Sequence, residues 1–155
     1  MATTTQIRAR LALLMLAAPG NLTHLERYAN PNDPLNTDDL PGFFIGRAGR
    51  AEHENTAGSE LFTTRRWLIW VVVNEIEDDT ITAKETSEDE AEAYLDDIIW
   101  YLRSHLALDL VGTDAGLSGV QGISIKDDGI KEYERSTKRY NAIPIMLDVA
   151  SYRSG

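Results

Sequence analysis

The stretch Leu-Phe-Thr-Thr-Arg-Arg-Trp-Leu-Ile-Trp-Val-Val-Val-Asn-Glu-Ile, residues 61–76, decides how this chain folds. Within it, residues 67–73 are all aromatic, β-branched or otherwise apolar. An unbroken apolar run of this length predicts a strand that is covered on both faces, as a central strand is. Because the spacing of Trp67 and Trp70 is odd, their side chains are expected on opposite faces of that strand. Most of this aromatic content is interpreted as core packing.

Two amphipathic segments predict helices that can cover such a strand. In residues 5–18 the apolar positions repeat with helical spacing, and a Pro-Gly pair ends the pattern. That run also follows two arginines, as a signal peptide would, but its spacing favours a packed helix. Residues 88–106 form the second predicted helix, because Ser87 and Glu90 have the spacing of a capping box. Trp100 is placed near the boundary of this helix's apolar face.

The remaining segments are predicted as strands and polar loops. Strands are expected at residues 23–28, 41–47, 120–135 and 140–152. Loops are expected at residues 29–40, 51–60 and 77–86, and their length favours a role in contacts with other molecules. Pro144 has no backbone N–H, so the last strand is predicted at a sheet edge or bulged there. The order α-β-β-β-α-β-β predicts a single α+β domain over residues 1–155, with two helices packed on a mainly antiparallel sheet.

The composition excludes several classes of protein. The chain has 155 residues with 25 acidic and 15 basic side chains, a formal charge of -10, and no cysteine. Without cysteine there is no disulfide scaffold, thiol nucleophile, iron–sulfur cluster or cysteine zinc site. The acidic balance argues against sequence-specific nucleic-acid binding, because phosphates are neutralised by clustered Lys and Arg. No stretch approaches the roughly 20 apolar residues that cross a bilayer, so no membrane partner is predicted.

The sequence contains no recognisable catalytic or cofactor-binding motif. His24, His53 and His105 lack the spacing of a histidine zinc site, and the glycine clusters match neither a phosphate loop nor a dinucleotide fingerprint. No catalytic residue, metal ligand or cofactor is therefore predicted, and the chain is not expected to be an enzyme. One alternative stays open: the recurring acidic pairs, with Asp38 and His53, could serve a metal-dependent hydrolase.

Four segments of the chain resemble the tail terminator proteins of long-tailed bacteriophages. They are the helical Ile7-Arg8-Ala9-Arg10-Leu11, the strand entry Leu40-Pro41-Gly42-Phe43-Phe44-Ile45-Gly46-Arg47, the central strand of residues 67–73 with the helix after it, and the alternating strand of residues 143–152. The order of these segments covers nearly the whole chain. Members of the family are small acidic α+β domains that assemble as a hexameric ring on the tail tube.

The resemblance implies a structural role in the virion. A protein of this kind stops polymerisation of the tail tube and presents a surface for joining to the head. The implied partners are further copies of the chain in a homohexameric ring, the tail tube protein and a head-completion or neck protein. The implied location is the neck end of the virion tail, after assembly in the host cytoplasm. The alternative within this class is another head–tail connector or tail-completion adaptor, which differs in partner and stoichiometry.

A ring needs two different surface patches that match between neighbouring copies. Charge complementarity suggests Asp38, Asp39 and Phe43 on one side and basic partners on the other, namely Arg47, Arg50, Arg65 and Arg66. Six copies at -10 each would carry -60. The hypothesis that follows is an acidic ring lumen through which DNA passes without sticking.

Overall fold

The computed structural model describes residues 4–25, 33–47, 52–55, 60–76, 81–105 and 120–154. These residues form two helices, α1 (Thr4–Leu16) and α2 (Ile81–Arg103). They also form seven strands: β1 (Thr23–His24), β2 (Gly42–Arg47), β3 (Glu52–Asn55), β4 (Glu60–Glu75), β5 (Val120–Asp127), β6 (Lys131–Arg135) and β7 (Lys138–Ser154). The predicted α+β class is confirmed.

All seven strands belong to one sheet with the order β1-β2-β4-β7-β5. β3 pairs with the beginning of β4 and β6 with the beginning of β7, so each extends one side of the central pair. β1 runs parallel to β2, and the other pairs are antiparallel. The central position predicted for residues 67–73 is confirmed, because this part of β4 has β2 on one side and β7 on the other.

Both helices lie on the same face of the sheet, which we call the helix side. α1 packs on β1 and β2, while α2 packs on β7, β4 and β5. Trp67 is fully buried there, and the Arg8 guanidinium lies over its ring at 5.5 Å while donating to the Ile45 carbonyl oxygen at 3.2 Å. Burial of each large apolar side chain contributes about 1.5–3 kcal/mol. The main core therefore joins α1 and α2 to β2, β4 and β7, with Ile125 of β5 packed at its border.

A second, smaller core covers part of the opposite face, which we call the outer face. Residues 33–40, named the strap, cross this face and insert Leu35 between Val72 and Tyr140. Leu35 is 2% exposed, and its N–H donates to the Tyr140 hydroxyl at 3.0 Å. Arg135 also holds the strap, because its Nε donates to the Asp33 carbonyl oxygen. The prediction of a polar loop without packing is wrong for this part of residues 29–40.

Other boundaries differ from the sequence-based expectations. Residues 52–55 form β3 inside a predicted loop, and residues 81–86 are already helical, so Ser87 and Glu90 lie within α2 and are not its cap. The strand predicted for residues 120–135 divides into β5 and β6. Of the strand predicted at 23–28, β1 includes Thr23–His24, while residues 26–28 lie outside the described part of the chain.

The edge position predicted from Pro144 is also wrong, because β7 has strands on both sides. β6 pairs with β7 as far as Ala142, and β5 pairs with it from Ile145. Ile143 and Pro144 therefore lie at the junction of the two shorter strands, where no strand of the described residues pairs with them on that side. A residue without an N–H is tolerated at such a gap in the ladder.

Candidate functional site

A β-bulge in β4 builds a polar cluster under α2. The register with β7 shifts between Val72 and Asn74, which turns the Asn74 side chain to the helix side. Its amide donates to the Ser87 carbonyl oxygen at 3.1 Å and to Glu90 Oε2 at 3.3 Å. The Asn141 amide donates to Asn74 Oδ1 at 2.9 Å and to Ser87 Oγ at 3.0 Å. These hydrogen bonds fix where α2 sits on the sheet.

A cleft of about 230 Å³ opens beside this cluster, lined by Ser87, Asn141, Lys131 and three glutamates among other residues. The Ser87 hydroxyl is hydrogen-bonded to a neutral amide, which is not a general base. No histidine lines the described cleft. The arrangement is therefore suited to positioning a helix.

The outer face of the sheet is partly exposed beyond the strap. Leu68 of β4, Met146 of β7 and Lys126 of β5 are direct neighbours in one row across the three strands. Arg66, Asp148 and Ser124 form the next row. Leu68 and Met146 are half-buried and belong to neither core, while Arg66, Ser124 and Lys126 are exposed. We call these two rows the open face.

Two local features shape the open face. The Arg66 guanidinium pairs with the Asp148 carboxylate through Nε to Oδ1 at 2.9 Å and a second bond at 3.3 Å. Gly46 of β2 lies opposite Leu68, and a Cβ added there would meet only the Leu68 carbonyl oxygen, at 3.8 Å. The missing side chain leaves a depression beside Leu68. The open face thus combines the space beside Leu68, which we call the recess, with Lys126 and the Arg66–Asp148 pair at its border.

The exposed side of α2 is mainly acidic, in contrast to the open face. Trp100 is 76% exposed, so its predicted position at the core boundary is wrong. It borders a cleft of about 380 Å³ with Leu95, Ile99 and Arg103. The exposed carboxylates of the described α2 side chains are those of Glu85, Glu88, Asp89, Glu90, Glu92, Asp96 and Asp97. A large exposed aromatic side chain therefore lies on a mainly acidic helix surface.

The acidic half of the predicted interface is only partly at the surface. Asp38 is exposed and Asp39 half-buried, both in a single turn of 3-10 helix at Thr37–Asp39. The Asn36 side chain caps this turn by accepting from the Asp38 N–H at 3.0 Å. Phe43 is fully buried and stacks on His24 at 4.8 Å between ring centroids. Its prediction as an exposed contact is wrong, because its position in β2 points to the helix side.

The basic half of the predicted interface is divided between the two faces. Arg65 is half-buried beside its partner Val149, on the same helix-side face of β4 as Trp67, whereas Arg66 lies on the open face. Adjacent strand residues point to opposite faces, so these two arginines cannot form one patch. The backbone of Arg47 ends β2 opposite Trp67. Arg50 and the Arg47 side chain lie outside the described part of the structure.

The residues of the hydrolase alternative lie far apart along β4. Asp38 is two residues from Leu40, which packs near Val72, whereas His53 pairs with Thr63. Thr63 and Val72 are separated by about 30 Å at 3.3 Å per strand residue. Among the described residues, no group of three or more His, Asp or Glu side chains is arranged to hold a metal ion. None of the described helices combines the length and apolar character needed to cross a bilayer.

Comparison with known proteins gives no match, either to a family model or to a curated protein. The resemblance to tail terminators therefore depends on the packing patterns of the four segments. Sequence reasoning missed Trp100, Lys126 and Asp148 as surface candidates. The signal for Trp100 was present, because it lies opposite Ile98 and Leu102 around the helix.

Proposed function

We propose that this chain is a subunit of a homo-oligomeric ring that caps a phage tail tube, terminates tube polymerisation and presents a surface for head joining. The observation that carries the proposal is the open face. In α+β domains the apolar face of a sheet is normally covered by another layer. Here Leu68 and Met146 stay outside both cores, beside the exposed Arg66 and Lys126.

Such a surface suits contact between proteins. Exposed apolar area rimmed by polar groups is typical of interaction sites. The exposed Trp100 adds a second surface of the same kind on the helix side. Two different interaction surfaces on one chain favour head-to-tail association, which closes into a ring when the rotation between neighbouring copies permits.

The first test is the mass of the assembly. Six copies of the 17.3 kDa chain give about 104 kDa, which native mass spectrometry and light scattering at several concentrations can measure. A ring of this or a similar closed stoichiometry is expected, alone or when tail tubes are added. A monomer in both conditions would overturn the proposal.

The second test separates a terminator from another adaptor. A terminator added to polymerising tail tube protein should shorten the tubes and appear as a cap at one end by electron microscopy. A neck or tail-completion adaptor should leave tube length unchanged and bind only tubes that are already capped. The control is heat-denatured protein at the same concentration.

A further inference from the structure

The open face and the Trp100 surface of α2 are complementary, and both lie on one chain. The open face has an apolar row, Leu68 and Met146, bordered by Arg66 and Lys126. The α2 surface has one large apolar side chain, Trp100, preceded on the same helix side by Asp96 and Asp97. Residues three and four apart on a helix are neighbours, so both carboxylates lie within one turn of the indole.

We propose that α2 of one copy docks on the open face of a second copy, with Trp100 in the recess beside Leu68. This inference rests on the proposed ring and names the surfaces that form it. Gly46 provides the room, because it places no side chain next to Leu68. Asp96 and Asp97 then face the exposed Lys126 and the Arg66 side of the Arg66–Asp148 pair. The contact is heterologous, since one copy offers a helix and its neighbour a sheet face.

Charge argues for a second copy as the occupant. Whole chains at -10 repel one another, so a contact between copies is favoured where it brings unlike charges together. Docking of α2 on the open face does this, because the carboxylates near Trp100 meet Lys126 and Arg66, whose charge Asp148 offsets only in part. An unrelated acidic partner could pair with the charges of the open face but would leave Trp100 exposed.

Two variants test the docking without disturbing either core. Trp100→Ala removes a side chain that is 76% exposed, and Gly46→Val fills the recess with a residue that strands favour. Loss of a central aromatic anchor weakens an interface by about 30-fold in dissociation constant. Both variants should weaken association by about this factor while keeping the monomer's melting temperature. Leu13→Ala, which removes a 50% exposed leucine from α1, is the matched control and should not change association.

A cross-linking experiment reports the contact directly, because the chain has no cysteine of its own. Ser104→Cys lies one turn after Trp100, and Ser124→Cys lies on the open face; both serines are exposed. The two single variants should form a disulfide dimer when mixed under mild oxidation, and neither should do so alone. Thr5→Cys, an exposed position on α1, should give no product with Ser124→Cys.

The outcomes separate this inference from the proposed function. A wild-type ring that persists in Trp100→Ala and Gly46→Val, without the mixed cross-link, overturns the docking mode and leaves the ring. A wild-type protein that is monomeric with and without tubes overturns both. Equal cross-linking within each single variant would indicate a symmetric contact and also overturns the inference.

Discussion

The strap makes a sharp prediction, because a single hydroxyl group bonds both the N–H and the carbonyl oxygen of its buried Leu35. The Tyr140 hydroxyl accepts from the Leu35 N–H at 3.0 Å and lies 3.4 Å from the Leu35 carbonyl oxygen, to which it donates. Both residues are almost completely buried. Tyr140→Phe removes the hydroxyl without changing the ring, and leaves the Leu35 N–H without its partner.

The expected cost follows from that orphaned donor. A buried polar group that loses its hydrogen bond costs about 1–3 kcal/mol, and we take about 2 kcal/mol for this site. The unfolding entropy is about 2.1 cal/mol/K per residue, or about 0.33 kcal/mol/K for 155 residues. Tyr140→Phe should therefore lower the melting temperature by about 6 °C in a calorimetric scan. Hydrogen exchange at the Leu35 amide should accelerate more than in β4.

Tyr133→Phe is the matched control on the same face. Among the described residues, its hydroxyl accepts a single long bond, 3.4 Å, from Arg135, which also donates to the Asp33 carbonyl oxygen of the strap. We expect this variant to change the melting temperature by less than about 2 °C. If the melting temperature of Tyr140→Phe falls no further than that of Tyr133→Phe, the Tyr140 hydroxyl does not hold the strap.

Two further predictions concern the loops and the open face. Gly129→Ala should lower the free energy of unfolding by about 1 kcal/mol, because φ is +75° but an added Cβ would have no atom within 4 Å. Gly20→Ala should lower it by about 1–3 kcal/mol more, because φ is +103° and an added Cβ would meet the Tyr94 ring at 2.5 Å. Equal urea midpoints for the two variants would contradict this. The Arg66–Asp148 pair, with side chains 52% and 35% exposed, should show a coupling of no more than about 1 kcal/mol in a double-mutant cycle. That coupling should fade in about 1 M NaCl, and a value that persists there would contradict a screened surface pair.

The architecture follows from local pattern wherever one face of an element is apolar. The apolar run of β4, the helical spacing in α1 and the alternation in β7 each predict their element, and Trp67 and Trp70 lie on opposite faces as expected. No comparable sequence pattern predicts the strap. A single leucine among Asn, Asp and Pro carries no periodicity, so the burial of Leu35 depends on Tyr140, which is 105 residues away in the chain.

The candidate surfaces were harder to predict because they depend on register. Phe43 and Arg65 were predicted as interface residues, but Phe43 shares the helix side with Ile45, and Arg65 shares it with Trp67. The bulge before Asn74 moves the side chains that follow it to the opposite face of the sheet, and no sequence motif in this segment predicts the bulge. Lys126 and Asp148 join the open face only because β5 and β7 align them with Met146 and Ser124.

The docking of α2 changes how the charge of -10 is understood. Carboxylates that face Arg66 and Lys126 of a neighbour cannot also line a lumen, so Asp96 and Asp97 are assigned to the subunit contact. Salt then acts on two opposing effects. Repulsion between whole chains acts over long distances, so salt screens it once the Debye length falls to about 8 Å at 0.15 M. Paired charges inside a contact are screened much less. Association measured by light scattering should therefore strengthen from about 0.02 M to about 0.15 M NaCl. Weakening over the same range would mean that solvent-exposed ion pairs dominate the contact, and Trp100 would not be its centre.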